Sequence, residues 1–137
     1  MSIRVRKAGI LSSLQDCGRI GFRRYGVPVS GSMDQHAAAV ANLLAGNHRE
    51  EAVIEITLHG LQVEFLQDSL VAFAGGGSRP FVGNRAIDIN KAVWILKGSV
   101  IDFRYHEPRY VQDASIFIAG DHFSDHRFPV ILVEAEL

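Results

Sequence analysis

The amino-acid sequence predicts a mainly β domain with one principal α-helix, over about residues 33–45. Three observations carry this prediction. Apolar and polar residues alternate with a period of two along most of the chain after Ala52, turn residues separate these runs at short intervals, and only one segment shows clear helical spacing. About eight to ten short strands joined by turns favour an all-β or β-rich barrel.

Bulk properties place the chain among ordinary globular domains. Its 137 residues are 47% hydrophobic and 21% charged, and a chain of this length buries about two thirds of its unfolded surface in one core. A net charge of -1 gives no reason to expect nucleic acid or an anionic membrane as partners. No apolar run is long enough for a signal peptide or a membrane span, and the single cysteine, Cys17, cannot form an internal disulfide. We expect a cytoplasmic protein.

The strands are predicted from alternation and from the turns between them. The first, over residues 3–7, alternates apolar and basic residues and ends at Gly9. The run at 70–74 is apolar on both faces and is therefore expected to be a central strand. The remaining predicted strands are 53–58, 61–65, 81–82, 86–89, 92–96, 100–105, 115–119 and 129–133.

The helix is predicted from apolar residues at i, i+3, i+4 and i+7. That face consists of Ala37, Val40, Ala41 and Leu44. At the start, Ser32 can form a capping box with Gln35, or Asp34 can itself be the cap, which is the favoured interpretation of this aspartate. Gly46 is well placed to end the helix.

A glycine-rich, charged segment leads into this helix and is the strongest candidate for a functional site. Four glycines, Gly18, Gly21, Gly26 and Gly31, stand among the charged residues Asp16, Arg19, Arg23 and Arg24. Glycine allows a backbone to approach a ligand closely, and amides at a helix start attract carboxyl or phosphate groups. From these residues alone, a surface loop with solvated or paired arginines is an equal alternative.

Two other features are weaker candidates. Residues 75–77 are all glycine and precede Ser78 and Arg79, which is compatible with an anion-binding nest, but a sharp turn between strands is favoured. His122 and His126 stand four residues apart, but no third ligand accompanies them. No metal site is therefore predicted.

Four separated blocks of residues resemble a known family. The blocks are Gln15-Asp16-x-Gly18-Arg19-x-Gly21-Phe22-Arg23, Gly26-Val27-Pro28-x-Ser30-Gly31-x-Met33-Asp34, Ala41-Asn42-Leu43-Leu44-x-Gly46-Asn47 and Glu55-Ile56-Thr57. In order and spacing they resemble the first half of the allophanate hydrolase subunit 2 family. That family includes the C subunit of bacterial ATP-dependent 5-oxoprolinase, the regulator KipA and part of the carboxyltransferase domain of urea carboxylase.

The resemblance implies a fold and a domain organisation. It implies a cyclophilin-like β-barrel, with residues 1–120 forming the first-half barrel of the family fold and residues 121–137 forming a divergent C-terminal segment that ends in a predicted strand. Family members are about twice as long, so the resemblance also implies a shortened or truncated chain. Homo-oligomerisation could supply the missing wall of a shared pocket, and a catalytically inactive product is a further alternative.

The resemblance also implies an activity. The expected function is a hydrolase-type subunit that processes an amide or lactam, either in an ATP-dependent 5-oxoprolinase or in a biotin-dependent carboxyltransferase acting on urea or a similar amide. A KipA-like regulator that binds a partner protein without catalysis is the alternative. No cofactor is expected to be held tightly, although the full complex could use ATP or a biotinylated carrier. The expected partners are a subunit 1 protein of the PxpB/KipI type and the small amide or lactam.

Roles for individual residues follow from their position in this resemblance. The arginines would stabilise developing negative charge, and Asp16 would orient an arginine or serve as a base. Gln15 and Ser30 would bind the amide. The predicted catalytic residues are Asp16, Arg19 and Arg23, and the predicted substrate-binding residues are Gln15, Gly18, Gly21, Arg24, Ser30, Gly31 and Asp34.

Overall fold

The structure is a computed structural model that describes residues 2–105, 115–120 and 131–133. It contains one α-helix in these residues, α1 (Gln35–Leu44), and a short 3₁₀ helix (Arg23–Tyr25). The strands are β1 (Ile3–Ala8), β2 (Leu11–Gln15), β3 (Val53–Thr57), β4 (Leu61–Phe65), β5 (Ser69–Gly75), β6 (Ser78–Val82), β7 (Arg85–Ala86), β8 (Ala92–Ile95), β9 (Val100–Tyr105), β10 (Ser115–Gly120) and β11 (Ile131–Val133). The prediction of a mainly β chain with one principal helix is confirmed.

The strands form two sheets. Sheet A has the order β11-β1-β4-β9-β6-β7, and sheet B has the order β2-β3-β10-β5-β8. Pairing is antiparallel except between β1 and β11, which run parallel with Ile3 opposite Ile131. Both orders are open, so the described strands do not close the barrel that the sequence led us to expect.

The main core lies between the two sheets. It is built from the inward residues of strands in both sheets, including Ile56, Val63, Phe73 and Phe103, all of which are fully buried. The rings of Phe73 and Phe103 meet edge to face at 5.9 Å between centroids. Burying each of these side chains contributes about 1.5–3 kcal/mol. The alternation that predicted the strands places these side chains on the inner faces of the two sheets.

Helix α1 covers the outer face of sheet B. Its buried face is made of small residues, Ala37, Ala38 and Ala41, which pack on strand residues such as Ala72 and Phe117. Strand β5 is therefore enclosed by the core on one face and by the helix on the other. This explains the run of apolar residues at 70–74 and confirms the prediction of an internal strand.

The structure differs from the sequence prediction in strand lengths and connections. Strand β7 is shorter than predicted, and Leu58 leaves β3 because its backbone adopts a left-handed conformation with φ of +72°. Gly75 is the last residue of β5, and Gly76 and Gly77 form the bend from β5 in sheet B to β6 in sheet A, so the favoured turn between strands is confirmed. The predicted last strand is confirmed over Ile131–Val133.

Two edge strands of sheet B expose apolar side chains. Leu11 and Leu14 on β2 are more than half exposed, and Trp94 on β8 is 66% exposed.

Within the described residues, no helix has both the length and the apolar character of a membrane span. The pair His122 and His126 lies outside the described residues, which themselves contain no cluster of three or more potential metal ligands.

Candidate functional site

The glycine-rich segment forms a loop whose two ends are held together. The backbone N–H of Arg19 donates to the carbonyl of Val29 at 2.7 Å, and the N–H of Ser32 donates to the carbonyl of Asp16 at 2.9 Å. Residues 16–19 and 29–32 therefore lie side by side, and we call this pair of segments the loop base. The residues between them form a closed surface loop of the kind that frequently carries function.

Two glycines allow the loop base to form. A Cβ atom at Gly18 would lie 2.5 Å from the carbonyl oxygen of Ser30, and a Cβ atom at Gly31 would lie 2.7 Å from that of Asp16. Both residues also have positive φ, +75° and +88°. Only glycine meets both requirements, so the two segments approach each other more closely than any side chain would permit.

Arg19 lies across this base and contacts Ser30. Its Nη2 donates to Ser30 Oγ at 3.1 Å, and the guanidinium is exposed. Among the described residues, no carboxylate forms an ion pair with Arg19. Its remaining N–H groups can therefore donate to a carboxylate or carbonyl oxygen from outside the protein.

Asp16 and Gln15 make local contacts. Asp16 Oδ1 accepts a hydrogen bond from the N–H of Gly18 at 2.7 Å, which fixes the turn at the start of the loop. Gln15 Nε2 donates to Ser13 Oγ on its own strand at 3.0 Å. The roles predicted for Asp16 as a base or a partner of arginine, and for Gln15 as an amide ligand, remain predictions.

The loop base is tied to the start of α1. Asp34 is the N-cap, and its Oδ1 accepts from the N–H of Ala37 at 2.9 Å, as favoured from the sequence. Gln35 does not form the alternative capping box with Ser32; its Nε2 donates to the carbonyl of Cys17 at 3.4 Å. Asp34 thus has a structural role, and the helix start lies directly beside the loop base.

Glu55 is a candidate that sequence reasoning missed. It lies on β3 with only 5% of its surface exposed, and its Oε2 accepts from the N–H of Met33 at 3.2 Å. It is opposite Ser13 of β2 in the register, so both residues share the outer face of sheet B beside the helix start. The sequence signal for this residue is a carboxylate inside an apolar strand run, since charged side chains are rarely buried without a partner.

The structure brings together only some of the predicted site residues. Asp16, Gly18, Arg19, Ser30 and Gly31 meet at the loop base. The remaining three predicted residues of the loop are Gly21, Arg23 and Arg24, and the last two belong to the exposed 3₁₀ helix. No described hydrogen bond joins these three residues to Arg19 or Ser30. The predicted site roles of all these residues remain predictions.

Known proteins match most of the chain. The family model "Carboxyltransferase domain, subdomain A and B" matches residues 25–120, a range that contains Ser30, Gly31 and Asp34 but begins after Asp16 and Arg19. Urea amidolyase of Lachancea kluyveri is 35% identical over 95 residues. The C subunit of 5-oxoprolinase from Escherichia coli K12 is 38% identical over 85 residues.

Solved structures agree with the sequence matches. The urea carboxylase of Kluyveromyces lactis superposes with a TM-score of 0.77 at 27% identity, covering 87% of this chain and 10% of that chain. The protein TTHA0988 superposes with a TM-score of 0.80 at 25% identity, covering 87% of this chain and 23% of that one. The fold of the described strands is therefore shared with these proteins.

The chain is much shorter than its relatives. The match to urea amidolyase covers 69% of this chain and 5% of that protein, and the match to the 5-oxoprolinase component covers 62% of this chain and 27% of that protein. The resemblance noted in the sequence is confirmed over the greater part of the chain. The range of the family match and the shared fold show that this chain belongs to the carboxyltransferase domain family, subdomains A and B.

Proposed function

We propose that this chain is the part of an enzyme subunit that binds a small lactam or urea-like amide, in a 5-oxoprolinase-like or carboxyltransferase-like reaction. The proposal is supported by the relatives, which are urea amidolyases and a component of 5-oxoprolinase. Because the chain spans about a quarter or less of those proteins, its activity would belong to an assembly. We propose a cytoplasmic assembly with a subunit 1 partner of the PxpB/KipI type.

The observation that carries the proposal is the position of Arg19. Its guanidinium donates a hydrogen bond to Ser30 Oγ at the loop base, which Gly18 and Gly31 allow to form. No described carboxylate forms an ion pair with this guanidinium. Charged donors fixed in advance stabilise negative charge without reorganisation, which is the main requirement when an amide carbonyl is attacked. We therefore assign Arg19 the charge-stabilising role and Ser30 the role of holding the guanidinium in place.

Arg19 favours a substrate that carries a carboxyl group. A guanidinium can hold a carboxylate through two parallel hydrogen bonds, which a neutral amide such as urea cannot match. 5-Oxoproline has a carboxylate next to its lactam, and a carboxylated carrier presents a similar group. We assign ATP or a biotinylated carrier to the complete assembly, where partner chains would deliver it to the loop base.

Substitution of Arg19 tests the proposal. The wild-type chain and the variants Arg19→Ala and Arg49→Ala are titrated with 5-oxoproline and with urea, and backbone amide shifts are followed by NMR. Because a hydrogen bond to a charged group contributes about 1.5–3 kcal/mol, Arg19→Ala is expected to weaken 5-oxoproline binding at least about tenfold. Arg49 is exposed on the turn after α1 and serves as the matched control.

The outcome is read from the amides that respond. We expect 5-oxoproline to shift the signals of residues 18–19 and 30–31 in the wild type, and urea to shift them less. Equal binding by Arg19→Ala and the wild type would remove Arg19 from the site. An absence of any response from these amides to either compound would argue against the loop base as the binding site.

The regulatory alternative has one observation in its favour. The middle of the loop exposes Arg23 and Arg24 together with the rings of Phe22 and Tyr25, a composition suited to a protein partner. A KipA-like regulator would bind its partner protein without turning over an amide. Titration with 5-oxoproline separates the two, because only the enzyme proposal requires a response at Arg19.

A further inference from the structure

Glu55 is a buried charge on an otherwise apolar part of the outer face of sheet B. Only 5% of its surface is exposed, and its cross-strand neighbour Phe117 on β10 is fully buried. Val53, two positions earlier on the same face of β3, packs in the apolar cluster under α1. Among the described residues, no cation forms an ion pair with Glu55. Because burying a carboxylate costs free energy that an apolar side chain would not cost, packing alone does not explain a glutamate here.

The partner of this carboxylate is the backbone that leads into the helix. Glu55 Oε2 accepts from the N–H of Met33 at 3.2 Å, directly before the N-cap Asp34. The start of a helix carries a partial positive charge, which favours a carboxylate at this point. Met33 directly follows residues 29–32, the second segment of the loop base. Glu55 therefore fixes the place where the loop base joins the helix.

Two adjacent N–H groups tie this segment to two different elements. The N–H of Ser32 donates to the carbonyl of Asp16 at 2.9 Å, whereas the N–H of Met33 donates to Glu55. Strand β3, which carries Glu55, is paired on both sides, with β2 and with β10. The chain at residues 32–33 is thus held between the start of the loop and an internal strand of the sheet.

Ser30 has a strained backbone two residues before this anchor. Its φ is +56°, a left-handed conformation that costs a serine free energy and persists only where the surroundings impose it. In this conformation Ser30 Oγ accepts from Arg19 Nη2 at 3.1 Å. The buried charge of Glu55 and the strain at Ser30 both oppose stability, and both lie on the segment that orients Arg19. Strain of this kind is concentrated at sites whose geometry is fixed before a ligand binds.

We propose that Glu55 is a positioning residue for the loop base, and that its carboxylate orients Arg19 toward the ligand through Met33 and Ser30. Without this acceptor, the N–H of Met33 would turn toward water and Ser30 would relax from its positive φ. The Arg19 guanidinium would then lose the hydroxyl that holds it. The inference rests on the proposed function for its ligand, a carboxylate compound such as 5-oxoproline, whereas the geometry of the loop base does not depend on that ligand.

Amide hydrogen exchange measured by NMR tests the positioning role without a ligand. The readout is the exchange rate of the Arg19 and Ser32 N–H groups, whose hydrogen bonds close the loop base. It is divided by the rate of the slowest amides of β4 and β9 in sheet A, which report global unfolding. This local exchange ratio separates opening of the loop base from a loss of overall stability.

Two substitutions of Glu55 are compared with a matched control. Glu55→Leu removes the acceptor and suits the apolar face, and we expect it to raise the local exchange ratio at least about tenfold. Glu55→Gln keeps an oxygen acceptor and is expected to stay within about threefold of the wild type. The control Asp68→Ala removes a carboxylate that accepts a backbone N–H elsewhere, that of Lys97 at 2.7 Å, and is expected to leave the ratio unchanged.

The same variants are then titrated with 5-oxoproline. We expect Glu55→Leu to weaken binding at least about fivefold, because Arg19 is no longer held in place. Glu55→Gln and Asp68→Ala are expected to bind within about threefold of the wild type. Far-UV circular dichroism confirms that each variant folds.

Four results would overturn the inference. These are unprotected Arg19 and Ser32 amides in the wild type, a local exchange ratio in Glu55→Leu equal to that of the wild type, equal effects of Glu55→Leu and Glu55→Gln, and undiminished 5-oxoproline binding by Glu55→Leu. A wild-type chain that does not bind 5-oxoproline would contradict the proposed function instead. In that case the exchange ratios still decide whether Glu55 positions the loop base.

Discussion

At the scale of single residues, two glycines of the loop are required for different structural reasons. Gly31 has positive φ, and a Cβ there would also meet the backbone at Asp16 and Gly18. Gly26 has positive φ as well, but nothing lies within 4 Å of the Cβ position. The first glycine is needed for close packing of the backbone, and the second is needed only for the turn.

Alanine substitution separates these two reasons. Gly26→Ala carries only the cost of the left-handed conformation and is expected to lower the free energy of unfolding by about 1 kcal/mol. Gly31→Ala adds a clash with rigid backbone and is expected to lower it by about 3 kcal/mol or more. Urea unfolding followed by far-UV circular dichroism measures both. Equal losses would mean that the loop base can open without cost.

The stability of the protein is expected to depend on pH through one residue, Glu64. Hydrogen bonds from Arg6, with a further contribution from Arg4, hold the pKa of Glu64 below its ordinary value of 4.5. A lowered pKa in the folded state stabilises the protein above the ordinary value, and this stabilisation is lost as the pH falls through the lowered value.

The variant Glu64→Gln tests this dependence. At neutral pH we expect it to unfold at a lower urea concentration than the wild type does. As the pH is lowered below 4.5, the difference is expected to shrink and then disappear, because the wild-type carboxylate becomes protonated. Urea titrations at a series of pH values measure the difference. A difference that stays constant into acid would show that the ion pairs contribute nothing to stability.

At the scale of elements, α1 depends on its cap. The helix is short, and the buried residues of its packed face are mostly alanine, so each contact buries little apolar area. Asp34→Ala removes the acceptor of the Ala37 N–H and is expected to cost about 1 kcal/mol of unfolding free energy. Asp34→Asn keeps an oxygen acceptor and is the control. A loss of equal size in both variants would assign the effect to charge at the helix start.

The helix and the strands also show which structural features can be predicted from the sequence. The alternation in β4 and β9 and the spacing in α1 are local patterns, and both predicted the elements correctly. Glu55 stands in an apolar strand run, but the partner of its carboxylate, the N–H of Met33, lies 22 positions earlier in the chain and is not visible from the local pattern. The three arginines could be recognised as a group from the sequence, but the contact of Arg19 with Ser30 depends on the closure of the loop.

At the scale of the whole molecule, the class of fold was easier to predict than its arrangement. Most of the short strands followed from alternation and turn residues, although β2 was not predicted, and the family resemblance followed from four blocks of residues. The division into two open sheets and the parallel pairing of β1 with β11 depend on contacts between distant strands, which periodicity does not contain. The candidate site likewise depends on two loop segments that meet across Gly18 and Gly31.

One consequence concerns the only tryptophan of the chain, Trp94, on edge strand β8. Its indole is largely hydrated in the folded protein, so its fluorescence will change little when the core melts and cannot serve to monitor unfolding. The same ring becomes a sensitive reporter of assembly. A blue shift of its emission would reveal another polypeptide covering that flank of the sheet.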